Sequence, residues 1–324
     1  MRRPLLRGLL ALSLVPLLAL AACGNDSPAA SNSAGGLEKT DIKVGVLPVL
    51  GVAPFYIALE KGYFKDEGLN VTPEVFKSGA DAIPAMTGGS IDTVFTNYIS
   101  LFTAQAKGVA KFRVIAEAST SAPNSFGIYV MPTSPIKDTQ ELSGKKIGVN
   151  APNNIATVLV NETLKSAGVD NKSVEYIVAP FPNMGQLMER GEVDAAMLPE
   201  PFIAQLSIQL GIKRIADAGI GTLDGLPIDG YAATEGWVKQ NPNTAAAFQR
   251  AIQRAAGTAA DRSEVQTVVQ GYAKVDKNTA ALVAPLQYPT SINPTRLQRV
   301  ADLMLAQQLL ESKLDVSTFV GLAT

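Results

Sequence analysis

Lys43-Val44-Gly45-Val46 and, 103 residues further on, Lys146-Ile147-Gly148-Val149 open two segments built to one plan. Each segment later reaches a second shared signature, at an offset of 102 residues: Met86-x-x-Gly89-x-Ile91-Asp92 in the first and Met188-x-x-Gly191-x-Val193-Asp194 in the second. Nearly equal offsets at both ends favour duplication of a whole unit over chance likeness of two short matches. Each copy reads as a β-branched strand, a loop opening a helix, a second strand and helix, and a third strand ending in Asp. Strands alternating with helices of this length form a mostly parallel sheet covered by helices. Such sheets bind ligands beyond the carboxyl ends of their strands. Two units facing each other would enclose a cleft.

In the first copy the strand Asp41 to Leu47 runs into a loop that turns helical at Pro54, a favoured first-turn residue. Leu69 to Phe76 is the second strand, and Ser78-Gly79-Ala80-Asp81 enters the second helix with Asp81 as the expected N-cap. Ser90 to Phe95 is the third strand, and Thr96-Asn97-Tyr98 opens the next helix. The turn-rich run Ser119 to Ser125 is where the chain should leave this lobe. In the second copy Asn150 to Asn154 opens a helix closed by Gly168, and Val193 to Leu198 leads to Glu200-Pro201. Ile228 to Ala233 is the strand crossing back, and the helical tail from Trp237 completes lobe one.

At 324 residues, 47% hydrophobic and 18% charged, the chain can hold two lobes with separate cores. It has no histidine, which removes Ser-His-Asp, Cys-His and His-based metal chemistry. One cysteine allows no intrachain disulfide.

That cysteine, Cys23, follows a basic start (Arg2, Arg3, Arg7) and the apolar run Leu5 to Leu20, shorter than a membrane span. Leu20-Ala21-Ala22-Cys23 resembles the lipobox of bacterial lipoproteins, which implies lipidation of Cys23 and loss of residues 1–22. The Arg2-Arg3 pair partly resembles a twin-arginine signal. Without Arg2, Arg3 and Arg7 the chain carries 25 basic and 29 acidic residues, a net charge of -4 that would not attract nucleic acid. Small and polar residues up to position 36 read as a tether. The expected domains are residues 1–22 as leader, 23–40 as lipidated cysteine and tether, 41–126 with 232–324 as lobe one, and 127–231 as lobe two.

Phe55-Tyr56-Ile57-Ala58-x-Glu60-Lys61-Gly62-Tyr63-Phe64-x-x-Glu67-Gly68-Leu69, followed by Gly88-Gly89-Ser90-Ile91-Asp92, resembles the opening of substrate-binding proteins of ABC importers. The similar group is the one for aliphatic sulfonates, taurine, nitrate and thiamine pyrimidines. The resemblance implies a two-lobed periplasmic-binding-protein-like fold of type II, α/β, with two hinge crossings that close on a ligand. It also implies a lipid-anchored, extracytoplasmic monomer that needs no cofactor or metal and hands its ligand to a separate permease and ATPase. The same architecture is similar to pyrimidine synthases and menaquinone-pathway enzymes, so an enzyme is the alternative, although the synthase chemistry depends on a histidine absent here. A ligand-sensing subunit is a third reading.

The loop ends expected to line the cleft are Leu50, Gly51, Phe55, Ser78, Gly79, Asp81, Thr96, Asn97, Tyr98, Asn124, Asn150, Asn153, Asn154, Thr157, Glu200 and Tyr231. In the related importers the segment before Glu200-Pro201 brings an acid to the cleft wall; as a residue, Glu200 could equally be a helix-terminal charge. No arginine is in the set, and the nearest lysine is Lys77. A doubly charged anion would recruit arginine. Amides, a carboxylate and aromatic rings (Phe55, Tyr98, Tyr231) instead suit a neutral or weakly basic heterocycle such as a thiamine-type pyrimidine, with a singly charged sulfonate- or nitrate-like anion held at helix N-termini as the alternative.

Overall fold

The computed structural model describes residues 36–322, so the expected leader and Cys23 lie outside the described residues. The strands are β1 (Asp41–Val46), β2 (Asn70–Val75), β3 (Thr93–Asn97), β4 (Phe112–Thr120), β5 (Phe126–Val130), β6 (Lys146–Val149), β7 (Glu175–Val178), β8 (Ala195–Pro199), β9 (Lys213–Asp217) and β10 (Pro227–Thr234). They form two five-stranded sheets, ordered β2-β1-β3-β10-β4 and β7-β6-β8-β5-β9. In each sheet three strands of one copy run parallel, and the fourth in the order, β10 or β5, runs against its neighbours. Two sheets of one plan make the two-lobed α/β architecture expected from the repeated signatures.

The repeat is visible atom by atom at the start of each sheet. Asp92 accepts the Lys43 amide on Oδ2 at 2.9 Å and donates its own amide to the Lys43 carbonyl at 2.9 Å. Asp194 and Lys146 do the same at 2.8 Å in both directions. These aspartates stand immediately before the third strand rather than at its end, since β3 starts at Thr93 and β8 at Ala195. They therefore fasten the pole away from the strand carboxyl ends.

The helices of the first copy are α1 (Ala53–Glu60), α2 (Tyr63–Asp66), α3 (Gly79–Thr87) and α4 (Tyr98–Ala106). Those of the second are α5 (Ile155–Ser166), α6 (Met184–Glu189) and α7 (Phe202–Leu210). The tail supplies α8 (Glu235–Gln240), α9 (Pro242–Thr258), α10 (Arg262–Ala273), α11 (Lys277–Leu282) and α12 (Pro294–Ala306). Polar side chains bond the orphan amides at several helix starts, as caps do. Ser78 Oγ accepts the Asp81 amide, so Ser78, not Asp81, caps α3; the Asp81 carboxylate in turn accepts from Ser78 Oγ at 2.8 Å. Asn97 caps α4, and Asn154 caps α5 in a reciprocal box with Thr157. The tail docks on lobe one through aromatic rings: Phe248 of α9 stacks on Phe64 with centroids 5.3 Å apart and meets Tyr231 edge-on at 5.5 Å.

The chain passes between the sheets at residues 121–125 and 218–226, the gaps between β4 and β5 and between β9 and β10. Pro227 to Tyr231, expected at the end of lobe two, already belong to β10 and pair with β3 and β4 of the first sheet. The expected boundary at 231 therefore moves back, because the whole returning strand is built into lobe one.

Candidate functional site

Between the lobes, beyond the carboxyl ends of the parallel strands, lies an inner cavity of about 40 Å³. Lobe one lines it with Leu47, Leu50, Gly51, Asn97 and Asp229, and lobe two with Phe126, Asn150, Phe181, Met197 and Glu200. An outer chamber of about 190 Å³ shares Leu47, Val49 and Phe181 with it and adds Phe76, Lys77 and Phe202. The inner end thus holds the amides and carboxylates, and the outer end is mostly apolar and aromatic. Among the described residues no lysine or arginine lines the inner cavity; Lys77 is an exposed residue of the outer chamber.

The lobes are drawn together across this cavity. The Leu50 amide donates to the Glu200 carbonyl at 2.9 Å, and the Ala284 amide donates to Glu200 Oε1 at 2.9 Å. Glu200 Oε2 accepts the Ala204 amide in the first turn of α7 at 3.1 Å. Both carboxylate oxygens of this buried residue are thus engaged by backbone N–H groups, one from each lobe. Burial nevertheless pushes the Glu200 carboxyl up to about 7, against those two donors and the Arg262 charge, which favour ionisation.

Asp229 is the other carboxylate. It sits in β10 opposite Asn97, and Ser119 Oγ donates to its Oδ2 at 3.0 Å. Its Oδ1 has no hydrogen-bond partner among the described residues. Desolvation raises this carboxyl to about 7, with the Ser119 hydroxyl opposing. Gly51 makes room for it: a Cβ there would come within 2.6 Å of Asp229 Oδ2 and 2.8 Å of Ser119 Oγ.

Of the sixteen residues expected at the cleft, the structure brings Leu50, Gly51, Asn97, Asn150 and Glu200 to the inner cavity. Asn154 and Thr157 stand behind them: their polar groups close the α5 cap, and Asn154 Nδ2 donates to Asn150 Oδ1 at 2.8 Å. Ser78 is spent as a cap, and Gly79 packs on Thr96, whose Cβ would lie 2.8 Å from a Gly79 side chain. Asp81 and Asn153 are exposed. Asn124 lies in the first crossing in a left-handed conformation (φ 70°), where its amide donates to Asp217 Oδ2 at 2.8 Å. Phe55, Tyr98 and Tyr231, expected to stack on a ligand, are buried in the core of lobe one instead. Phe55 and Tyr231 stack on each other at 6.3 Å, and Tyr98 packs on Phe102 at 5.5 Å. The rings at the cleft are Phe126, Phe181, Phe76 and Phe202.

Asp229 and these phenylalanines were missing from the expected set. An acid inside the apolar strand Ile228 to Ala233 was the available signal, since a carboxylate is seldom placed in a core strand without a task. The phenylalanines carried no such mark. Among the described residues no three His, Cys, Asp or Glu side chains cluster for a metal ion, and no helix is long and apolar enough to cross a membrane.

Known proteins of similar sequence include pyrimidine synthases and nitrate-binding proteins. The 4-amino-5-hydroxymethyl-2-methylpyrimidine phosphate synthase of Aspergillus parasiticus is 26% identical over 215 residues, which cover 63% of this chain and 61% of the synthase. The nitrate/nitrite binding protein NrtA of Nostoc sp. is 26% identical over 257 residues, 71% of this chain and 57% of NrtA. This chain therefore spans about three fifths of the length of these relatives. Among solved structures, the alkanesulfonate-binding protein SsuA from Xanthomonas axonopodis pv. citri bound to MOPS superposes with a TM-score of 0.75 at 18% identity, over 88% of this chain and 99% of SsuA. At that identity the likeness is one of fold, the two-lobed type II fold of periplasmic binding proteins. The model of the family described as NMT1/THI5 like matches residues 50–264, from the first cleft loop into the helical tail, and the chain belongs to that family.

Proposed function

We propose that the chain is an extracytoplasmic solute-binding protein, anchored through lipid on Cys23, that captures a small neutral or weakly basic heterocycle and delivers it to an ABC permease with its ATPase. The polarity of the cleft carries this reading. Among the described residues two buried carboxylates, two amides and no cation line the inner cavity, while three phenylalanines and the exposed Lys77 line the outer chamber. An oxyanion there would find no arginine and, above about pH 7, two like charges. A flat, nitrogen-rich ring of the thiamine-pyrimidine kind would find hydrogen-bonding groups at one end and aromatic faces at the other. The fold shared with SsuA and the family shared with the pyrimidine synthases support the two halves of the reading, capture and ligand class.

Capture rather than turnover is supported by the clamp. Glu200 is held by backbone amides of both lobes, and the chain has no histidine to serve as a neutral-pH base. An inner cavity of about 40 Å³ holds only a few waters, so a ligand of ring size enters by separation of the lobes. A thermal-melting screen of pyrimidines, alkanesulfonates and nitrate tests the ligand class: pyrimidines should raise the melting temperature. A rise with a sulfonate or nitrate and none with any pyrimidine would overturn it. Loss of uptake of the stabilising compound on deletion of the gene would separate import from sensing.

A further inference from the structure

The orientation of the two cleft amides is fixed by their partners. Asn97 Oδ1 accepts the Ser100 amide at 2.9 Å, which turns its Nδ2 away from the helix. Asn154 Oδ1 accepts the amides of Ala156 and Thr157, so its Nδ2 is the donor to Asn150 Oδ1. Asn150 therefore also has its oxygen occupied and its Nδ2 left over. Neither Nδ2 has a hydrogen-bond partner among the described residues. With Glu200 saturated by two amides, the inner cavity keeps three unused polar groups: two N–H₂ donors and one acceptor, Asp229 Oδ1. Asp229 is only 7% exposed, and such a buried, half-partnered carboxylate calls for a donor.

We propose that Asp229, flanked by Asn97 and Asn150, selects the head group of the ligand: a nitrogen head that gives an N–H to Asp229 Oδ1 and lone pairs to the two amide Nδ2 groups. An amino group beside a ring nitrogen has this alternation of donor and acceptor. A sulfonate, nitrate or carboxylate has acceptors only, and above about pH 7, where Asp229 is ionised, would leave it unpartnered beside a second negative charge. Asp229 is thus the residue that sets ligand polarity, while the phenylalanines of the outer chamber hold the body of the molecule. The inference rests on the capture reading above and deepens it by naming the head.

Three probes of one shape separate the possibilities by calorimetry: 4-amino-2-methylpyrimidine, 2-methylpyrimidine and 2-methylpyrimidine-4-carboxylate. Each is titrated at pH 8, where Asp229 is ionised, into the wild type and into Asp229→Asn, whose folding is checked by its melting curve. The aminopyrimidine should bind the wild type at least about tenfold more tightly than the unsubstituted ring, the usual worth of one charge-assisted hydrogen bond. D229N should abolish that ratio, a selective loss that general damage to the cleft would not produce. Equal binding of the amino and unsubstituted rings, unaltered by D229N, overturns the role of Asp229 while the capture of a heterocycle stands. Tightest binding by the carboxylate, or binding by none of the three, overturns the ligand class itself and this inference with it.

Discussion

At its outer pole each lobe is fastened by the same Lys–Asp exchange, yet where the lobes face each other equivalent positions carry opposite chemistry. The repeat offsets pair Leu47 with Asn150, Asn97 with Pro199, and Tyr98 with Glu200. The register of the crossing strands pairs Asp229, opposite Asn97, with Phe126, opposite Pro199. In each pair one lobe presents a polar group and the other an apolar or aromatic one. The backbone plan is therefore held twice over, while the cleft it encloses is two different half-sites. The two carboxylates sharpen the contrast. Glu200 has both oxygens on backbone amides and ties the lobes together, whereas Asp229 keeps one oxygen unused.

The largest effect that could break this contrast is electrostatic. Asp229 is raised from 3.8 to about 7 by burial, so between those values the native state holds a proton that the unfolded chain has released. Stability falls with pH wherever the native state binds more protons, so this penalty is absent below about pH 4 and complete above about pH 7. Its ceiling is on the order of 4 kcal/mol, at ~1.4 kcal/mol per tenfold change in proton affinity. D229N should thus gain stability over the wild type in urea unfolding at pH 8 and not at pH 4. A difference independent of pH would show that Asp229 is not desolvated.

Next in size is a test of the shared plan. Gly230 follows Asp229, and Gly127 follows Phe126, at matching places in the two crossing strands. A Cβ at Gly230 would lie 2.7 Å from Tyr98 Cζ; one at Gly127 would lie 2.8 Å from the Ala216 carbonyl oxygen. Neither neighbour can retreat, the first being core and the second backbone. Gly230→Ala and Gly127→Ala should each cost about 1–3 kcal/mol, the usual range for overpacking. If only one proves costly in urea unfolding, the lobes are less alike in their frames than the register implies.

Glu200→Ala probes the clamp. It strips the Ala204 and Ala284 amides of their acceptor, at about 1–3 kcal/mol for each buried group left unmade, offset by release of a buried carboxylate. Opening of the lobes should enlarge the radius of gyration in small-angle scattering, and D229N should leave it unchanged. Equal radii for wild type and E200A would remove Glu200 as the closure contact.

The frame was legible in the sequence because its signals are local and periodic: β-branched runs, Gly at helix ends, and Ser, Asn or Pro at helix starts. Ser78 and Asp81 show the limit of that reading. Both suit a helix entrance, and only the observed hydrogen bond shows that Ser78 is the cap. Five of the expected cleft residues reached the inner cavity because they lie at or beyond the carboxyl ends of parallel strands, which fixes where the chain is. The side-chain direction of an aromatic is not fixed in this way. Phe55, Tyr98 and Tyr231 follow strands or lie in one, yet all three turn into the core, and the cleft rings come from segments without polar punctuation. Asp229 escapes a reading based on loop ends because it lies within a strand.

Tyr98→Phe is the smallest change and the finest test of that distinction. Tyr98 opens α4 at the place where the second lobe has Glu200, so the repeat alone would make it a cleft group. Its side chain is fully buried, and its hydroxyl has no hydrogen-bond partner among the described residues. Desolvation, with the charges of Glu117 and Asp229 nearby, holds the phenol well above its ordinary range, so it stays neutral at any working pH. Removing a buried hydroxyl that bonds to nothing relieves a desolvation cost and leaves the ring packing intact. Y98F should therefore match the wild type within about 0.5 kcal/mol, or exceed it slightly, and bind the aminopyrimidine equally well. Alanine at the same place would remove a core ring and unfold the lobe before it reported on binding, which makes phenylalanine the informative substitution. Loss of affinity in Y98F with unchanged stability would mean that the hydroxyl reaches the ligand, and that the two lobes offer equivalent polar groups at this position after all.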